Sequence, residues 1–337
     1  DSKIINYSSP MADTPYYLKS DHQVLDTDRC LKLGLSTDKY NAANQSRDDV
    51  WRDWPTNYGG AGGDGATMLV YDALRRSYNT IAVWIGSYVG AEELFSFAHD
   101  TLNCTYLDPE HDVDLAPLVL GSQSQGLTVV ELAGAYSIFN DGKFTTPHYW
   151  TEIYDSDGNL YLDNSKRVTT VQAIDPAAAT IMNRLLSNVW KKPGTANGMK
   201  PETEGIDTIG KTGTTEDSND VWYMGGTTAF VCGIWNGHEY KEEIYDTNSA
   251  KKMYNGIIDW MEANYYDFLH SGSYVLSDNV VQLSYCRDSG LRPGPNCVHI
   301  ANGWYSQNNI PRTCDGGSDH ISRTSATATP SPSIEPS

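Results

Sequence analysis

The chain has 337 residues, 39% of them hydrophobic, which is enough to bury one large domain with appendages. Its 24 Lys and Arg stand against 43 Asp and Glu, a net charge of −19, so its surface repels phosphate backbones and acidic membranes, and nucleic acid is disfavoured as a partner. No run of about 18 apolar residues occurs, so no membrane-spanning helix is expected in this chain.

In chain order, Thr67 followed by Met68, Leu69, Ala73 and Leu74 predicts a helix running to about Arg76, with Ser77 and Asn79 on the loop at its end. Thr128 and Glu131 make a capping box that opens a second helix through Ile138, and Asp141-Gly142 ends it in a turn. Asp175 and Pro176 supply the N-cap and first position of a third helix, with apolar positions at Ile181, Leu185, Leu186 and Val189. Strands are expected over 149–154, 207–215, 221–225 and 229–235. Helices followed by consecutive strands indicate an α+β fold, an antiparallel sheet flanked by helices.

The run Lys211-Thr212-Gly213-Thr214-Thr215 joins a cation, a residue without a side chain and three hydroxyls. On an extended strand Thr212 and Thr214 point to one side, while the long Lys211 stem still carries its ammonium over the groove. Gly213 lets a ligand backbone come close. A carboxylate lying along such a strand takes charge-assisted hydrogen bonds from the hydroxyls and feels the ammonium. Upstream, Ser77-Tyr78-Asn79 offers a hydroxyl and an amide that can both donate and accept.

These motifs, in this order, resemble the transpeptidase region of class A penicillin-binding proteins, whose signatures run SxxK, SxN and KTG followed by Thr. The resemblance also covers Asp13-Thr14-Pro15, Pro55-Thr56-Asn57-Tyr58, Ala73-Leu74-Arg75-Arg76-Ser77-Tyr78-Asn79-Thr80, the block 118–147 and Asp220-Val221-Trp222-Tyr223-Met224-Gly225. It implies a serine acyltransferase, a D,D-transpeptidase that cross-links peptidoglycan stem peptides and is inhibited by β-lactams. Ser77 and Lys211 would be catalytic, and Asn79, Thr212, Gly213, Thr214 and Thr215 would bind substrate. It further implies placement at the outer face of the cell membrane or in the cell wall, in a parent protein with a membrane anchor and an upstream glycosyltransferase domain. No cofactor or metal is expected.

The nucleophile's signature is missing from its expected place, so the chain is expected to be a fragment that is inactive alone. Ser36-Thr37-Asp38-Lys39 does fit SxxK, but it follows Asp13-Thr14-Pro15 instead of preceding it, and an Asp beside the lysine opposes its use as a base. Two other classes compete. One is a D,D-carboxypeptidase or β-lactamase-type hydrolase, distinguished by water as acyl acceptor; the other is a noncatalytic stem-peptide-binding module. The block 118–147 favours the synthase.

The expected organisation is a transpeptidase domain over 1–272, a small Cys-containing appendage over 273–320, and a disordered Ser/Thr/Pro-rich tail over 321–337. Cys286, Cys297 and Cys314 cluster near the end with His320, without the paired C-x-x-C spacing of structural zinc sites. A disulfide between two of the three is expected, with Cys286 and Cys297 nearest in sequence. Cys232 reads as a core thiol.

Overall fold

Residues 5–18, 24–25, 52–60, 63, 65–165, 168–201 and 205–320 are described by the computed structural model. Ser36, Lys39, Cys30 and the 321–337 tail lie outside the described residues.

The elements run β1 (Pro10–Ala12), β2 (Tyr16–Leu18), β3 (Val24–Leu25), β4 (Arg52–Trp54), β5 (Thr67–Leu69), α1 (Val70–Arg76), α2 (Asn79–Val89) and α3 (Ala91–Ser96). They continue through α4 (Val129–Tyr136), β6 (Lys143–Thr145), β7 (Glu152–Tyr154), β8 (Leu160–Asp163), β9 (Thr170–Gln172), α5 (Pro176–Leu186), β10 (Ile209–Thr214), β11 (Asp220–Gly226) and β12 (Val231–Gly237). The chain closes with α6 (Ser249–Asn264), α7 (Tyr266–Leu269), β13 (Val280–Cys286) and β14 (Ile300–Ser306). The fold is α+β, as the element order indicated.

At its centre β10, β11 and β12 form an antiparallel sheet in that order, so β10 is an edge strand. The long helix α6 covers one face. Its Ala250, Tyr254 and Ile258 pack with Trp190, Val221, Tyr223 and Ile234 into one core cluster. Tyr223 and Tyr254 are fully buried with ring centroids 4.8 Å apart. Burying a large apolar side chain is worth about 1.5–3 kcal/mol, and a well-placed ring pair adds about 0.5–1.5 kcal/mol, so this helix–sheet contact anchors β11 and with it the position of β10 beside it. The opposite face receives α4, whose start lies against the middle of β12: a Cβ on Gly233 would meet Val129 at 2.8 Å.

The two capped helices form with the caps as read, though α5 ends at Leu186 and leaves Val189 in the turn beyond it. Thr128 accepts from Glu131 N at 3.1 Å while the Glu131 carboxylate takes the Thr128 amide. Asp175 caps α5 through Ala177 N at 2.6 Å. Two readings need correction. Residues Thr67–Leu69 are strand, not helix, because they pair antiparallel with Pro10–Ala12, a partner more than fifty positions away that no local pattern reveals. Asn79 is not in a loop but opens α2, leaving only Ser77 and Tyr78 between the helices. The helix α6 was not anticipated, although its buried positions Ala250, Tyr254 and Ile258 recur at helical spacing.

The segment after residue 272 shares a core with the rest of the chain. Tyr285 and Tyr305 of the β13–β14 hairpin pack with Tyr7, Leu69, Tyr71 and Leu185. The Ser8 hydroxyl donates to Gly290 O at 2.5 Å and lies 2.7 Å from Tyr305 OH. The disulfide expected there is replaced by three free thiols, since Cys286, Cys297 and Cys314 converge together with His320 and do not meet as a pair.

Candidate active site

Helix α1 ends at Ser77, whose left-handed backbone (φ 60°, ψ 48°) turns the chain sharply enough for α2 to start two residues later. A non-glycine residue in this region carries local strain. It is held by Ser77 N–H to Leu74 O at 3.1 Å and Tyr78 N–H to Ala73 O at 3.0 Å. The turn projects the Ser77 hydroxyl toward the free edge of β10, where the Lys211 ammonium donates a short hydrogen bond to it. The same ammonium donates to Thr212 O at 2.9 Å.

Although part of the Lys211 side chain still meets solvent, its ammonium is enclosed by protein, and no carboxylate among the described residues pairs with it. Burial pushes it down from the ordinary lysine value to about 8. The chain's net charge is −19, so a cation with no carboxylate partner among the described residues is unusual at this strand edge.

Thr212 is held from behind. Its hydroxyl lies 2.7 Å from the Thr195 hydroxyl. Thr195 N–H donates to Arg75 O at 3.0 Å, and the buried Lys251 ammonium donates to Thr195 O at 3.2 Å. Arg75, buried, pairs with Asp72 at 2.5 Å and donates to Lys192 O at 3.1 Å. The turn carrying Thr195 is therefore pinned between α1 and α6. Sequence reading missed Thr195 and Lys251, and Arg75 entered it only as part of the 73–80 segment. The available signal was Pro193-Gly194, a turn that sets Thr195 against the strand.

Asn79 donates from Nδ2 to Thr56 O at 2.8 Å. The surrounding loop is organised by Asp13, which is 1% exposed. Asp13 accepts from Asn57 Nδ2 at 3.0 Å, from Gly63 N–H at 2.8 Å and from the Thr80 hydroxyl, while Thr80 N–H donates to Asn57 Oδ1 at 3.2 Å. Asp13 and Asn57 entered the sequence reading only as parts of motifs. Here they lock the first turn of α2, and so the Asn79 side chain.

Gly213 stands opposite Trp222, and a Cβ there would crowd Trp222 Cβ at 3.1 Å. Thr214 is half-buried, and its hydroxyl has no hydrogen-bond partner among the described residues. Thr215 differs. Its hydroxyl donates to Asp220 Oδ2 at 3.2 Å and accepts from Asp220 N–H at 2.8 Å, closing the β10–β11 hairpin. Asp220 also takes Trp235 Nε1–H at 2.8 Å. Ser77, Lys211 and Thr212 thus meet across one edge, and the Thr215 hydroxyl faces its own hairpin.

The family profile described as "Penicillin binding protein transpeptidase domain" matches residues 34–230, more than half of the chain. The chain belongs to that family. Penicillin-binding protein 1A of Clostridium novyi (strain NT) is 27% identical over 224 residues, covering 66% of this chain and 25% of the relative. Penicillin-binding protein 4 of Bacillus subtilis (strain 168) is 30% identical over 175 residues, 51% of this chain and 27% of the relative. The chain therefore spans about a quarter of the length of these curated relatives. Among solved structures, penicillin-binding protein 1A from Haemophilus influenzae superposes with a TM-score of 0.63 at 18% identity, over 92% of this chain and 46% of that one. The D,D-transpeptidase domain of a peptidoglycan glycosyltransferase from Eggerthella lenta gives 0.50 at 20% identity, over 77% and 60%. At these identities the structures share the fold. No described helix is long and apolar enough to cross a membrane.

Proposed function

We propose that this chain supplies the substrate cradle of a D,D-transpeptidase acting on peptidoglycan stem peptides outside the cytoplasm, and that β-lactams occupy the same cradle. The observation that carries the reading is the Lys211 ammonium, hydrogen-bonded to Ser77 across the edge of β10 and without a carboxylate partner among the described residues.

In this reading a peptide ending in D-Ala-D-Ala lies antiparallel along β10. Its terminal carboxylate faces Lys211 and the Thr212 and Thr214 hydroxyls, the Thr214 amide offers an oxyanion donor, and Asn79 bonds a backbone amide of the stem. Acyl transfer needs a serine whose Oγ attacks the penultimate D-Ala carbonyl as the bond to the terminal D-Ala nitrogen breaks. Ser77, bridged to Lys211, returns a proton to that leaving amine. This reading takes the attacking serine from an SxxK signature other than Ser36-Thr37-Asp38-Lys39.

Two measurements test the reading. Titration with an N-acylated D-Ala-D-Ala peptide, followed by NMR, should show binding that is lost with the C-terminally amidated peptide; equal binding of both would overturn the carboxylate cradle. A fluorescent penicillin should label the full-length parent covalently and leave this chain unlabelled. Labelling of this chain at Ser36 would move the nucleophile there.

A further inference from the structure

The C-terminal hairpin gathers four soft donor atoms that the peptide cradle does not use. Cys286 ends β13, Cys297 lies on the loop leading to β14, and Cys314 and His320 follow β14. Their Sγ and Nε2 atoms all lie within 4.8 Å of one another. Cys286 Sγ and Cys297 Sγ are each 3.5 Å from His320 Nε2. With a zinc–sulfur bond of about 2.3 Å and a zinc–nitrogen bond of about 2.0–2.1 Å at tetrahedral angles, the sulfur–nitrogen edge comes to about 3.5 Å. Two sulfurs joined as a disulfide would gather neither a third thiol nor an imidazole around themselves.

Backbone amides point at two of the sulfurs. Gly294 N–H donates to Cys297 Sγ at 3.3 Å, and Gly316 N–H donates to Cys314 Sγ at 3.3 Å. Such amide–sulfur bonds orient metal-bound thiolates and spread their charge. Both donors are glycines because the two loops touch at these points: a Cβ on Gly294 would lie 2.0 Å from Cys314 O, and one on Gly316 would lie 2.7 Å from Asn296 Cβ. The loops are also laced by Arg292 N–H to Arg312 O at 3.0 Å and Cys314 N–H to Arg292 O at 2.8 Å. None of the three cysteines is more than 8% exposed, so the donors face one another and not solvent.

We propose that Cys286, Cys297, Cys314 and His320 bind one Zn²⁺ as a closed structural site that staples the end of the chain to the β13–β14 hairpin. Three thiolates and one imidazole fill all four tetrahedral positions, which leaves none for a reactive water and marks the site as structural. Each thiol exchanges its proton for the metal on binding, so occupancy falls as the medium is acidified.

The test uses the full chain, purified under reducing conditions without chelator. Elemental analysis should find close to one zinc per chain. After its removal, titration of the reduced chain with Co²⁺ should give the intense visible bands of tetrahedral cobalt with thiolate-to-metal charge transfer. His320→Ala should weaken Co²⁺ binding by roughly a hundredfold, whereas His299→Ala, an exposed histidine on the same hairpin, should leave it unchanged. Thermal unfolding run in parallel checks that each variant folds. A reduced chain that takes up neither metal would overturn the site, as would wild-type affinity in the folded His320→Ala variant. So would a native chain that carries no metal and has two of the three cysteines disulfide-linked by mass.

Discussion

The β10 edge and the cysteine corner are both built by strands and turns pressed together, yet they are electrostatically opposite. At the edge a buried ammonium has no counter-charge, and the Thr214 hydroxyl has no partner among the described residues. In the corner four donors converge on one another within 4.8 Å, with backbone amides behind two of the sulfurs. In the proposed reading the first arrangement is completed when an anion arrives from solution and opens again when it leaves, which suits turnover. The second is filled by one small ion and has no opening for anything else, which suits permanence.

The largest expected effect comes from breaking the corner alone. Gly294→Ala places a methyl 2.0 Å from a backbone oxygen, and backbone cannot step aside as a side chain can. We expect about 3 kcal/mol of destabilisation by chemical denaturation and loss of Co²⁺ binding, with D-Ala-D-Ala peptide binding retained at temperatures where the variant is folded. Loss of peptide binding in the folded variant would show that the two regions are coupled. The counterpart at the edge is Asp13→Ala, which strands the Gly63 amide, the Thr80 hydroxyl and the Asn57 amide in a buried site. About 2–3 kcal/mol should be lost, together with peptide affinity through a displaced Asn79, while Co²⁺ binding persists.

Lys211→Met separates binding from stability. Removing the ammonium should weaken peptide binding at least roughly tenfold, about 1.4 kcal/mol, without lowering stability at neutral pH, because an unpaired buried charge disfavours the folded state. The sign with pH follows. Burial holds Lys211 near 8 when folded against its ordinary value of 10.5, so between these values the unfolded chain binds more protons. Wild-type stability relative to Lys211→Met should therefore rise from pH 8 to pH 10.5, while peptide binding falls as pH passes 8. A flat stability difference across that window would mean that the ammonium is solvated. A smaller loss, about 1 kcal/mol, is expected for Thr195→Val, which deprives Thr212 of its hydroxyl partner and should lower peptide affinity a few-fold.

The difference between the regions also explains what could be read from sequence. The KTG strand, the Ser77 turn and the capped helices α4 and α5 are written in contiguous residues whose chemistry acts over a few positions. Thr195, Arg75 and Lys251 reach Thr212 only through the tertiary fold, and the β1–β5 pairing overrode a helical pattern at Thr67–Leu69. The corner was the hardest to see. Cys286, Cys297, Cys314 and His320 were grouped in sequence, but they are separated by a strand and two loops and lack paired C-x-x-C spacing, so a disulfide was expected, and only the close approach at Gly294 and Gly316 shows all four donors meeting at one point.

Thr215→Val carries the smallest expected effect and sharpens the edge of the cradle itself. Adjacent in sequence to Thr214, this residue was read as a substrate ligand, yet its hydroxyl both donates to and accepts from Asp220 within the hairpin. If that pairing exhausts its role, the variant should lose about 0.5–1 kcal/mol of stability, and the binding curve of the D-Ala-D-Ala peptide should be unchanged. The same substitution at Thr214, whose hydroxyl is uncommitted, should leave stability alone and weaken binding. A reversed pattern would shift the carboxylate one residue along β10 and extend the cradle to the hairpin tip.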